Sequence, residues 1–242
     1  MELVAEYGPV LANGLATTVL LNLATYGSGA IAGIAVGLVL RSGNAPLQWA
    51  ARACVEIIRN TPFLIQAMII FAAFAVAGLR LHPVYVGWVA LTLYGAAYFA
   101  EIVRGGLASV PKEQWETAAA LGIGRWSTFR LVILPQTYPF VVPAATNLCV
   151  ALLKESSLLS ALAVGELTYA GQVILSDTFL VVPTLGIVGI AYFLLVTLIV
   201  SISHALESRL TWAAGRGSFE VPATKRSFPG LRRSFRSGFG IG

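Results

Sequence analysis

Apolar positions in this chain fall in long uncharged runs rather than in short alternating patterns. Val10–Leu40 has no charged side chain, and neither have Thr61–Gly78, Pro83–Ala100, Thr137–Leu153 or Leu180–Ser203. A helix needs about 20 mostly apolar residues to cross a bilayer. The first run is longer than that and the fourth somewhat short. Together the five predict an all-α, polytopic membrane protein with five transmembrane helices. Leu158–Val164 is apolar but too short to cross, and predicts a re-entrant turn or a helix packed between spans. Gly29, Gly33 and Gly37 recur every four residues. On a helix they share one face, where another backbone can approach closely.

Composition points the same way. Of 242 residues, 57% are apolar and 11% charged, with a mean hydropathy of +0.80. Soluble domains carry about 25% charged residues. Five spans place the termini on opposite sides. With the N-terminus outside, Arg80 and Lys154 are the only two of the 16 basic residues left outside. Basic flanks stay on the cytoplasmic side, so the orientation expected is N-out, C-in. Residues 1–13 then form an external segment. Glu2 and Glu6 without Lys or Arg argue against a cleaved leader there. Residues 208–242 form a basic cytoplasmic tail rich in Arg, Ser and Gly, read as a solvated flank near anionic lipid rather than a nucleic-acid-binding arm.

Catalytic groups are not found. Lys112, Lys154 and Lys225 follow Pro111, Leu153 and Thr224, so no phosphate-binding loop ends in Gly-Lys-Ser/Thr. Zinc-protease and nucleophile-elbow motifs are missing too. Cys54 and Cys149 read as small apolar fillers. His82 and His204 fall at opposite ends of the topology. No metal, no cofactor and no enzymatic activity are expected, and any ATP is hydrolysed by another chain.

The 36 residues from Glu101 to Gln136 lie between the third and fourth runs. Loops this long inside a compact domain usually carry structure or function. Pro111 suits a first helical turn, with Ser109 nearby as a cap. Glu113 and Glu116 favour the positive end of a helix dipole. Gly122 and Gly124 supply a stop and a turn. Trp126–Leu134 reads as a second amphipathic helix ending at Pro135.

This loop resembles the cytoplasmic signature of binding-protein-dependent ABC importer permeases. Their pattern is Glu-Ala-Ala, three residues, Gly, nine residues, Ile, one residue, Leu-Pro. Here Glu116, Thr117, Ala118, Gly122, Val132, Leu134 and Pro135 keep that spacing, with Thr117 for Ala and Val132 for Ile. Glu56–Leu64 and Ala100–Gly106 resemble the polar amino-acid branch. The resemblance spans roughly Gly14 to Glu207 and implies a type I ABC importer transmembrane domain in residues 14–207, with a coupling loop at 101–136. It further implies ATP-binding subunits, a second permease subunit (the same chain or another), an external solute-binding protein and an amino-acid substrate. The setting would be the bacterial inner membrane, among its lipids. Glu116, Thr117, Ala118, Gly122, Leu134 and Pro135 would then shape the contact with the ATPase.

Glu56 and Arg59 are three residues apart, as are Glu101 and Arg104, so each pair can bridge along a helix. They are candidates for an inner gate, or ordinary interfacial charges. Lys154, Glu155, Ser156 and Ser157 interrupt an apolar stretch. Charge at membrane depth is costly and usually faces a partner or a watery cavity. The four residues are candidates for the substrate pathway, with Lys154 and Glu155 answering the two charges of an amino acid. The plainer reading pairs Lys154 with Glu155 at the outer interface. A stand-alone secondary transporter of small polar solutes is the rival function, and it leaves the inner loop unexplained.

Overall fold

A computed structural model describes residues 2–214, with side chains from 6 to 206. All regular structure among these residues is helical. The helices are α1 Glu2–Val39, α2 Ala45–Arg59, α3 Phe63–Val76, α4 Pro83–Ala108, α5 Lys112–Ala120, α6 Arg125–Thr128, α7 Leu134–Glu155, α8 Leu167–Thr178 and α9 Val181–Ala214. Four uninterrupted helical runs are long and apolar enough to cross a membrane: Glu6–Val39, Pro83–Ala108, Arg125–Leu162 and Val181–Leu206. The second expected span is different. It falls on a bent pair, since α2 and α3 are long and apolar enough only together, across a bend of 110°. The basic tail beyond Ala214 lies outside the described residues.

Packing fixes the relative directions. On α1, a Cβ at Gly29, Gly33 or Gly37 would meet Ala96, Phe99 and Val103 in ascending order, so α1 and α4 run parallel. On α4, Gly106 faces Thr137 and Val141, Gly95 faces Leu152, and Gly87 faces Leu159. The α7 run is therefore antiparallel to α4. One span between α1 and α4, and none between α4 and α7, gives this alternation. Leu91, Leu152, Leu159 and Ala67 form the buried centre. The glycine stripe on α1 meets its expected role, since α4 lies directly against it.

Two local expectations are corrected. Ser109 does not cap the loop helix. Its hydroxyl donates to the Gly106 carbonyl at the end of α4, and Pro111 opens α5 without a side-chain cap. Pro135 does not end a helix either. Proline lacks an N–H and its ring crowds the carbonyl four residues back. The preceding residues Phe129–Ile133 widen into a π turn, with the Leu134 N–H reaching back to Phe129. That wider turn seats Pro135 in the first turn of α7, and the helix continues to Glu155. α4 also extends to Ala108, so residues 101–108 of the expected loop continue that helix.

α8 fills the gap between α1 and α9. A Cβ on Gly14 of α1 would come 2.7 Å from Ala170, and one on Gly171 2.8 Å from Val188 of α9.

Candidate functional site

Three polar regions stand out against the apolar helices. The first is the loop. α5 ends in a Schellman stop, with Gly122 N–H donating to Ala119 O and Ile123 N–H to Ala118 O. Gly122 takes the left-handed conformation this stop needs, φ 72°. Glu116 and Thr117 are exposed, Ala118 is buried within the chain, and Leu134 and Pro135 are half-buried. Leu121, Trp126 and Leu131 are each about seven-tenths exposed. Trp126 stacks on Phe129. The loop presents an apolar surface beside Glu116.

The second region joins the α2–α3 elbow to the end of α4. Glu101 accepts from Arg104 at 2.7 Å and lies 3.7 Å from Arg59. Arg59 sits over the Tyr98 ring, 5.4 Å from its centre, and the Tyr98 hydroxyl donates to the Arg59 carbonyl. Glu101 and Arg104 pair as the spacing suggested. Glu56 does not pair with Arg59. It accepts from the Asn60 amide at 3.0 Å, because Arg59 turns inward to α4.

The third region is the break after Glu155. The helix tightens into a 3₁₀ turn, Ser156–Leu162, and stops at Ala163. Ala163 is left-handed, φ 57°, a conformation that costs a non-glycine residue about 1–2 kcal/mol. Leu152 faces Gly95 and Leu159 faces Gly87. Lys154 and Glu155 are therefore level with the middle of the uncharged run Pro83–Ala100, not with its outer end. Successive helical residues point about 100° apart, so the four candidates separate. Lys154 and Ser157 line a cleft of about 520 Å³ with Thr168, Tyr192 and the apolar side chains Leu185, Val188 and Phe193. Glu155 is half-buried and is not among the residues lining that cleft. Ser156 is buried, accepts from the Asn22 amide at 3.1 Å and donates to the Leu153 carbonyl. Among the described residues no acid pairs with the Lys154 ammonium.

Behind the cleft lies Glu166, fully buried. One carboxylate oxygen accepts from the Tyr169 N–H at 2.8 Å, the other from the Tyr192 hydroxyl at 2.6 Å. Next to it the Leu167 N–H donates to Thr18 of α1. This network ties α1, α8 and α9 together and holds Tyr192 at the cleft wall. Glu166→Ala is expected to lower stability by about 1–3 kcal/mol, leaving the Tyr169 N–H without its acceptor and the Tyr192 hydroxyl with Thr168 as its remaining partner. Glu166→Gln keeps an acceptor and should lose less. Thermal unfolding in detergent separates the two, and an alanine variant as stable as the parent would contradict this role.

The family described as binding-protein-dependent transport system inner membrane component matches residues 29–212. This chain belongs to that family. The permease is similar to the glutamine transport system permease protein GlnP of Escherichia coli (strain K12), at 32% identity over 84% of this chain and 93% of that protein. It is likewise 32% identical to the L-cystine transport system permease protein TcyB of Bacillus subtilis (strain 168), over 85% of this chain and 88% of TcyB. Among solved structures it resembles a crystal structure of an amino acid ABC transporter with histidines, with TM-score 0.79, 29% identity and coverage of 85% and 96%. An inward-facing methionine ABC transporter, MetNI, superposes at TM-score 0.72 and 26% identity, with coverage of 84% and 96%.

The permease is thus the transmembrane subunit of an ABC importer and a membrane protein, not an enzyme. ATP hydrolysis lies in a separate subunit. Membership favours the importer over the stand-alone secondary transporter.

Thr168, Tyr192 and Glu166 were missed from sequence. Glu166 caps the start of α8, but N-caps are usually Ser, Thr, Asp or Asn, so the residue type did not signal it. Tyr192 sits inside an unbroken apolar run and carries no mark either.

Proposed function

We propose that the permease carries an amino acid through a pathway that passes the cleft at Lys154. The Lys154 ammonium meets the substrate carboxylate, and Ser157, Thr168 and Tyr192 offer hydroxyls beside it. The observation that carries this reading is an ammonium without an acid partner among the described residues, at mid-span, facing a cleft in which Ser157, Thr168 and Tyr192 stand among mostly apolar side chains. Pockets of this size, within about 300–1,000 Å³, suit small ligands. Glu155 does not line this cleft and so does not meet the same substrate group there.

The remainder of the assembly follows from the resemblance. The orientation is N-out, C-in, from five spans and the basic residues on one side. The loop carrying Glu116, Thr117, Ala118, Gly122, Leu134 and Pro135 docks on an ATP-binding subunit. Arg59, Glu101 and Arg104 close the inner mouth, with Glu56 at its rim. A second permease subunit and an external solute-binding protein complete the transporter. Relatives named for glutamine and L-cystine transport support a polar amino-acid substrate.

Uptake into proteoliposomes holding the whole transporter tests the pathway. A hydrogen bond to a charged group contributes about 1.5–3 kcal/mol, so Lys154→Ala is expected to weaken uptake about ten- to hundredfold. Recovery of the ATPase subunit with the permease should not change. Lys154→Arg should retain part of the activity. Normal uptake by Lys154→Ala removes the cleft from the pathway.

A further inference from the structure

α2 departs from every other long helix in its surface. It turns by 110° from α3 across the Asn60–Pro62 break, so it runs across the ends of the spans rather than along them. Its inward side, Ala51, Val55 and Ile58, packs on Leu40, Ala97 and Ala100. Ala97–Ala100 is the end of the uncharged run of α4, one residue before Glu101. That is the level at which hydrocarbon gives way to headgroups.

The remaining surface of α2 is divided in two. Leu47, Ala50, Cys54 and Ile57 follow one another at helical spacing, and all four are exposed. Leu47 is 49% and Ile57 66% exposed. On the other side lie Arg52 and Glu56, both exposed, while Arg59 at the end of the same row turns inward to Glu101. Trp49, 74% exposed, falls near the boundary between them. A helix with an apolar stripe, a charged stripe and an interfacial tryptophan has the make-up of one lying in a membrane surface.

We propose that α2 is an in-plane membrane helix. Leu47, Ala50, Cys54 and Ile57 enter the acyl boundary of the leaflet on the coupling-loop side, and Arg41 and Arg52 lie among its anionic headgroups. Two observations select lipid as the occupant. Beyond the elbow α3 exposes Ile65, Met68 and Ile69, an apolar face that meets hydrocarbon where α3 enters the membrane. Arg41 and Arg52 are in no ion pair among the described residues, and anionic lipid supplies the missing charge. Naming that leaflet as the inner one rests on the proposed orientation; the in-plane placement does not.

Site-directed spin labelling of the full chain tests this, in the transporter reconstituted in liposomes of phosphatidylethanolamine and phosphatidylglycerol. Native Cys54 is labelled in a Cys149→Ser background. Leu47→Cys, Ile57→Cys, Arg52→Cys and Glu56→Cys are labelled after Cys54→Ser and Cys149→Ser. Accessibility to oxygen, which partitions into lipid, is compared with accessibility to a water-soluble nickel chelate. The oxygen-to-nickel ratio at 47, 54 and 57 is expected to exceed that at 52 and 56 severalfold. High nickel access at all five positions places α2 in water and overturns the proposal. Low access to both reagents at 47, 54 and 57 means that a protein surface covers the stripe, and overturns it equally. Either failure leaves the importer reading standing, because uptake and ATPase recovery are measured separately.

Discussion

Gly122→Val is expected to abolish recovery of the ATPase subunit with the permease, while Gly122→Asn retains most of it. Space is not the issue, because a Cβ at Gly122 would meet no atom within 4 Å. The obstacle is the backbone. Gly122 has φ 72°, and both of its Schellman hydrogen bonds depend on that value. A left-handed L-residue pays about 1–2 kcal/mol, asparagine tolerates it well and a β-branched residue poorly. Valine would shift the chain toward ordinary φ and move α5 relative to α6. Glu116 would then leave its place beside Leu121 and Trp126, the surface we assign to docking. Pull-down of the ATPase in detergent reads the result directly. Equal recovery with valine and asparagine would mean that the turn does not set the contact. Loss with both would point to the glycine surface itself, not its conformation.

Gly33→Val is expected to have the largest effect on the fold. A Cβ there would lie 2.6 Å from the Phe99 Cβ and 2.9 Å from the Ala96 carbonyl oxygen. The second obstacle is backbone, which cannot rotate away, so α1 and α4 must separate along their length. Overpacking costs about 1–3 kcal/mol where side chains can adjust, and this site should fall at or beyond the upper end. We expect loss of a monodisperse species in detergent and a large drop in melting temperature. Gly27→Ala is the control. Its Cβ meets nothing within 4 Å, and alanine favours a helix by about 0.8–1.0 kcal/mol over glycine. It should be neutral or stabilising. Equal effects at the two positions would show that helix propensity, not contact with α4, decides.

The two glycines also mark how far the residues alone could be read. The four-residue glycine spacing predicted a close helix contact, but only the packing identified α4 as the partner and Gly33 as its tightest point. Gly29 is looser, with its nearest atoms 3.7 Å away. The stop at Gly122 was readable because a Schellman motif is local, using hydrogen bonds within six residues. The same locality misled at Ser109 and Pro135. A serine hydroxyl can accept from an N–H at a helix start or donate to a carbonyl at a helix end, and proline breaks a helix unless the preceding turn widens. Neither choice is written in the residue itself.

The membrane class, the long apolar helices and the signature loop were determined by the sequence, because hydropathy and helix-stop chemistry act over a few turns. The break at Lys154–Ser157 was visible as charge within an apolar run, but its depth was not. Depth follows from the antiparallel register of α7 on α4, which sets Leu152 against Gly95. The side chains that face the cleft were also a tertiary decision. Thr168, Tyr192 and Lys154 come from three separate helices, and Glu166 positions Tyr192 through a hydrogen bond across 26 residues. Arg59 chose Glu101 over Glu56 for the same reason. Pairing along one helix contributes only a few tenths of a kcal/mol, so the contact with Tyr98 and Glu101 of α4 could draw Arg59 away from Glu56, while Glu101 and Arg104 kept their pair.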